Sequence, residues 1–141
     1  MKAISDYAQM GFDGISVDEE MEIAEYIDEN KEVCPVELYR GMMVSSDFEI
    51  AVGQEIQFKN AFASFDEDAN AAIKFATRRG NGIVLVLEKG TEGLPLYMHT
   101  DAICAGEAEW LIPAQKFIVT EVWKDGEYEN VVFARIRHLE I

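Results

Sequence analysis

The chain has 141 residues, the length of one ordinary domain, and a single domain over residues 1–141 is expected. It is 49% apolar and 11% aromatic, enough for a packed core, which excludes a disordered chain. With 27 acidic against 12 basic residues the net charge is −15, so phosphate backbones and anionic lipid are repelled at long range. Direct nucleic-acid or membrane binding is therefore not expected, and any macromolecular partner should be basic or neutral.

Cys34 and Cys104 form no C-x-x-C pair, and His99 and His138 complete the set of soft ligands, so neither a structural metal nor a redox motif is expected. Both thiols read as reduced. The start, Met1-Lys2-Ala3-Ile4-Ser5-Asp6, has no apolar core of signal-peptide length, and no stretch approaches the roughly 20 apolar residues of a membrane helix. The expected location is cytoplasmic.

In chain order, a short helix is predicted from about Ile4 to Met10, ended by Gly11. Ser16-Val17-Asp18-Glu19 is a capping box, and Val17, Met21, Ala24 and Ile27 recur at helical spacing to about Asn30. The texture then turns to strands: one after Pro35 through Gly41, then Glu55 to Lys59 and Ala61 to Phe65. Asp66-Glu67-Asp68 supplies an N-cap and an acidic first turn for a helix striped with Ala69, Ala72, Ile73 and Ala76, closed by Arg78, Arg79 and Gly80. Ile83-Val84-Leu85-Val86-Leu87 is an apolar run that fits a strand covered on both faces. Strands follow at Glu107 to Ile112, Lys116 to Trp123 and Tyr128 to Leu139, the last two joined by an Asp125-Gly126 hairpin turn. Helices first and strands later define an α+β chain.

Three local features carry chemistry: Tyr39-Arg40-Gly41, Phe62-Ala63-Ser64 and Glu107-Ala108-Glu109. Glu-x-Glu also occurs at Glu20/Glu22 and Glu127/Glu129, where solvated surface explains it. The copy at Glu107/Glu109 opens an apolar strand, and a period of two puts both carboxylates on one face. Two like charges so placed need a cation or a hydroxyl beside them, and their titrations are coupled. Each feature alone also has a plain reading: Arg40 as a surface ion-pair residue, Ser64 as a strand hydroxyl, Gly41 as a turn former.

Taken together and in order, the set resembles the Arg–Ser–Glu class of mono-ADP-ribosyltransferases. That family carries an aromatic-Arg on its first strand, an aromatic-x-Ser strand start followed by a helix, and Glu-x-Glu entering a strand. The resemblance runs from about Tyr39 to Val122 and includes Trp110 to Val119 after the glutamates. It implies two small, mostly antiparallel sheets that form a cleft for NAD, with helices at the N-terminus. It implies NAD as substrate, cleavage of the nicotinamide–ribose bond, and transfer of ADP-ribose to a protein side chain, arginine when the first glutamate is a Glu. By the same resemblance Glu109 is the catalytic glutamate, Glu107 orients or deprotonates the acceptor, Ser64 positions Glu109, Arg40 pairs with NAD phosphate, and Gly41 lets backbone approach the nicotinamide amide. The family's further hydroxyls after the serine are replaced here by Phe65-Asp66. A small toxin or phage effector acting inside a host is the matching context. Two alternatives stay open: an NAD glycohydrolase with water as acceptor, and an inactive acidic binding or inhibitor protein with the same fold.

Overall fold

The computed structural model of the chain describes residues 2–45, 47–100 and 108–139. Helix α1 (Lys2–Met10) buries Ala3, Ile4 and Tyr7 on one face and runs into a 3-10 turn, Gly11–Gly14, where Gly11 takes a left-handed φ of 67°. Helix α2 (Val17–Asn30) starts on the predicted capping box: Glu19 N–H donates to Ser16 Oγ at 3.1 Å, and Ser16 N–H donates to Glu19 Oε1 at 3.3 Å. Its buried face is Ile23 and Ile27, whereas Val17 and Met21 of the predicted stripe are exposed.

Nine strands follow: β1 (Glu32–Val33), β2 (Leu38–Met43), β3 (Glu55–Gln57), β4 (Phe62–Asp66), β5 (Gly82–Leu87), β6 (Glu92–Pro95), β7 (Glu109–Pro113), β8 (Lys116–Lys124) and β9 (Val131–His138), with helix α3 (Ala69–Ala76) between β4 and β5. The run predicted as doubly covered is β5, buried at all six positions, and it lies between β2 and β9. Asp68 caps α3 by accepting from Asn70 N–H at 2.9 Å. The acids expected in the first turn of α3 all precede it, and the helix stops at Ala76 with Thr77 as C-cap, short of Arg78 and Arg79. The β8–β9 hairpin forms as predicted, but β9 begins at Val131 because Tyr128 N–H still bonds Asp125 C=O within the turn. Strand β6 escaped the sequence reading: four residues containing Gly93 and Pro95 carry no alternating pattern.

The two sheets expected are one hydrogen-bonded order, β1-β6-β7-β4-β2-β5-β9-β8-β3. Among the described residues the two halves join at one register pair, Tyr39↔Asp66 of β2 and β4, and beyond it the strands diverge. The halves are further folded onto each other. In a flat sheet β4 and β8 would stand about 19 Å apart, four strand spacings. The Phe58 ring nevertheless packs edge-on against both Phe65 of β4 and Phe117 of β8, with centroids 5.8 Å apart in each case. One apolar core, including Leu38, Phe65, Leu85, Trp110, Ile112, Phe117 and Ile136, fills the inside of that fold. On the other face α1 and α2 cover β4, β6 and β7 through Ile4, Tyr7, Ile23, Ile27, Phe62, Leu94 and Leu111. Helix α3 covers β2, β5 and β9 through Ala72, Ala76, Val84, Val86 and Phe133. A cleft is left where the sheet splays between β2 and β4, with α3 on its far wall.

Candidate active site

A cavity of about 780 Å³ opens in this cleft, and Arg40, Gly41, Ser64, Asp66 and Glu109 all line it. Ser64 on β4 pairs with Leu111 of β7, and Glu109 at the start of β7 pairs with Asp66. Residues two apart on an antiparallel ladder share a face, so Ser64 and Glu109 are diagonal neighbours. The Ser64 hydroxyl donates to Glu109 Oε1.

Arg40 reaches into the splay from the other strand. Its Nη1 donates to the Ser64 carbonyl at 2.9 Å, and its guanidinium lies over the Phe58 ring at 5.2 Å from the centroid. Arg40 Nε is the one buried side-chain polar atom without a hydrogen-bond partner among the described residues. Burial lowers the Arg40 pKa, against the Glu109 charge, which favours the cation. A guanidinium does not deprotonate in a protein, so this is a positive charge held at the cavity wall. An anion with bidentate oxygens suits it.

Gly41 has a second job. A Cβ there would overlap the Ala72 carbonyl of α3, so the missing side chain is what lets the helix sit tight on β2. Along α3 and just past it the lining continues with Asp68, Asn70, Lys74 and Arg78, and Tyr128 closes the cavity from the β8–β9 turn. Arg78, read from sequence as closing the helix, lies beyond the last helical residue with its guanidinium 5.2 Å from the Phe75 ring centre. Lys74 and Arg78 thus add positive charge to the cavity wall.

Glu107, together with Cys104 and most of the loop before it, lies outside the described residues. Its flanks are held on both sides. Glu67 accepts from Trp110 Nε1 at 2.8 Å and from Tyr97 Oη at 3.2 Å, and Glu67 N–H donates to Ala108 C=O at 3.0 Å. Upstream, Tyr26 Oη and His99 Nδ1 are 2.9 Å apart, and Ser5 Oγ and Thr100 Oγ1 are 3.1 Å apart.

Sequence reasoning missed Tyr7, Phe58 and Glu67. Tyr7 comes from α1, buried, with its ring edge-on against Phe62 of β4. Burial first, and the Glu109 charge next, push its pKa far above the usual phenol range. The period of α1 places Tyr7 on the buried face with Ile4, but nothing local shows that this face lands on β4. Phe58 sits in an irregular segment after β3, where a single aromatic has no pattern to mark it.

Neither a protein-family model nor a curated protein sequence matches this chain. Solved structures do. Vis toxin, an ADP-ribosyltransferase from Vibrio splendidus, aligns with a TM-score of 0.64 at 16% identity, over 99% of this chain and 67% of Vis. Plx2a, an ADP-ribosyltransferase toxin from Paenibacillus larvae, gives 0.64 at 14% identity, over 97% and 79% of the two chains. The C3 exoenzyme from Clostridium limosum gives 0.65 at 12% identity, over 99% and 84%. The chain has the ADP-ribosyltransferase fold.

Proposed function

We propose that this protein is an NAD-dependent mono-ADP-ribosyltransferase that transfers ADP-ribose to a protein side chain, arginine in the first instance, and releases nicotinamide. The observation that carries the reading is the convergence of Arg40, Ser64 and Glu109, three residues from three strands, on one cavity of the ADP-ribosyltransferase fold. The Arg40 guanidinium at the cavity wall fits a dinucleotide, whose pyrophosphate offers anionic oxygens to a planar donor group.

Cleaving the bond between nicotinamide and ribose builds positive charge on the sugar, so a fixed carboxylate lowers the barrier by favouring that charge. Glu109 is such a carboxylate, held by the Ser64 hydroxyl so that little reorganisation is needed when the charge develops. Arg40 anchors the anionic part of the substrate from the opposite strand. Gly41 leaves room for α3 and keeps backbone at the cavity wall. Glu107 is assigned the acceptor role by its Glu-x-Glu relation to Glu109.

Two observations favour arginine. The first glutamate of the pair is Glu, and Vis, similar in fold, has been crystallised with agmatine, a small guanidino compound. The acidic surface, with a net charge of −15, favours a basic protein target by steering it toward the cleft. Transfer to such a target should slow as ionic strength rises, while NAD hydrolysis should not. The reading is tested by following nicotinamide release and label transfer in parallel with agmatine as acceptor. Glu107→Gln should keep hydrolysis and lose transfer. Nicotinamide released with free ADP-ribose as the only ADP-ribosyl product of the unaltered protein would instead make it an NAD glycohydrolase.

A further inference from the structure

Trp110 follows Glu109 on β7, and its side chain leaves the opposite face of the strand, into the core with Phe65 and Ile112. Only 3% of the residue is exposed, so its indole N–H needs a partner within the protein. Glu67 Oε2 accepts that proton at 2.8 Å, and the same oxygen accepts from Tyr97 Oη at 3.2 Å. The Glu67 N–H donates to the Ala108 carbonyl at 3.0 Å, one residue beyond the Asp66↔Glu109 pair that ends the β4–β7 ladder. Glu67 thus holds both chain neighbours of Glu109, Ala108 by backbone and Trp110 by side chain. We infer that Glu67 is a positioning residue that fixes the start of β7 and so the direction in which Glu109 enters the cavity. This rests on the proposed role of Glu109.

The need for such a tie follows from the topology. Among the described residues β6 pairs with β7 only at Trp110 and Leu111, so at Glu109 the strand is laddered to β4 alone. Tyr97 lies two residues past Pro95, the last residue of β6. The Glu67 carboxylate therefore joins β7 to the chain leaving β6 where their ladder has stopped. Ser64 fixes the carboxylate end of Glu109, and Glu67 fixes its backbone end. A reacting group misplaced by about 1 Å can lose about a hundredfold in rate, which makes the backbone end matter.

The test sets Glu67→Ala beside Glu67→Gln. Glu67 is half-buried, so water can replace its carboxylate at Trp110 and the fold survives the change. Glu67→Ala lowers kcat for nicotinamide release about tenfold, with KM for NAD changed less than twofold. Glu67→Gln, which keeps an acceptor oxygen, recovers kcat to within about threefold of the unaltered protein. Independently of turnover, NMR relaxation shows the Glu109 amide loosening in Glu67→Ala, its order parameter falling from about 0.85 toward 0.6, while Ile112 stays rigid. That loosening in a protein with no NAD cleavage would uphold the positioning role and reject the transferase reading. A Glu109 amide that stays rigid in Glu67→Ala would overturn the inference. So, in a protein that cleaves NAD, would a Glu67→Ala kcat within about twofold of the unaltered value, or Glu67→Gln as slow as Glu67→Ala.

Discussion

Ser64 and Glu109 stand diagonally across the β4–β7 ladder, and the Ser64 hydroxyl donates to Glu109 Oε1. The bond ties the carboxylate to a strand whose own carbonyl, that of Ser64, accepts from Arg40. One residue thus touches both the anionic and the cationic member of the site. Removing the hydroxyl loosens Glu109 without altering the strand, so Ser64→Ala should lower kcat for nicotinamide release by about ten- to a hundredfold, as expected for a hydrogen bond to a charged group. The NAD dissociation constant should change less than about threefold. Steady-state kinetics with calorimetry checks both, and a kcat within twofold of the unaltered protein would contradict the role.

Arg40 is held in a setting that suits a ligand better than it suits the fold. Its Nε is buried without a partner, and burial works against its charge. Desolvating a lone cation is costly, and the single Ser64 carbonyl contact offsets that cost only in part, so an apolar chain of similar length need not destabilise the fold. Arg40→Met should therefore leave the melting temperature unchanged or raise it. The unaltered protein at a hundredfold excess of NAD over its dissociation constant should gain about 2.7 kcal/mol. Arg40→Met should gain almost none of that. Thermal melts with and without NAD give both results at once.

Gly41 links the fold to the site. Its missing Cβ accommodates the Ala72 carbonyl, and Gly82 on the neighbouring strand does the same for the Ala76 carbonyl. Gly41→Ala forces backbone against backbone, which no rotamer change relieves, and should destabilise the protein by about 1–3 kcal/mol. Because α3 is also a wall of the cavity, NAD affinity should fall with it. Chemical denaturation reads the first effect and calorimetry the second.

Asp66 supplies a pH dependence. Its pKa lies above the ordinary carboxylate range, raised first by burial and further by the charges of Asp68 and Glu67, against the Asp68 N–H that it accepts at 2.7 Å. A carboxyl raised on folding binds its proton more tightly in the native state. Stability therefore falls as pH climbs from below the unfolded value to above the folded one. Asp66→Asn should be more stable than the unaltered protein at neutral pH, by a small margin because the group is partly solvated. The difference should vanish below the usual Asp range, where both states are protonated. Melts from pH 3 to pH 8 measure the sign.

Much of this was legible in the sequence because it depends on short-range chemistry. The capping box at Ser16, the apolar run of β5 and the Asp125-Gly126 turn each state their structure within a few residues. The order of Arg40, Ser64 and the glutamates pointed to the right fold, and the structure brings Arg40, Ser64 and Glu109 to one cavity. What was hidden depends on how distant pieces dock. The single joining pair Tyr39↔Asp66 turns two expected sheets into one continuous order, and no local pattern encodes a pair 27 positions apart. Tyr7 and Phe58 reach the site only through the packing of α1 and the folding-over of the sheet. Glu67 looked like a helix-start acid, yet its carboxylate is taken by Trp110 and Tyr97, because it precedes α3 and turns toward β7.

The most direct measurement uses NAD labelled in its ADP-ribose portion, incubated with the purified protein, agmatine and a cell lysate, beside Glu109→Gln. Label should appear on agmatine and on protein, matched by free nicotinamide, and neither should come from Glu109→Gln. Label transfer unchanged in Glu109→Gln, or no nicotinamide released by the unaltered protein, would contradict the transferase reading.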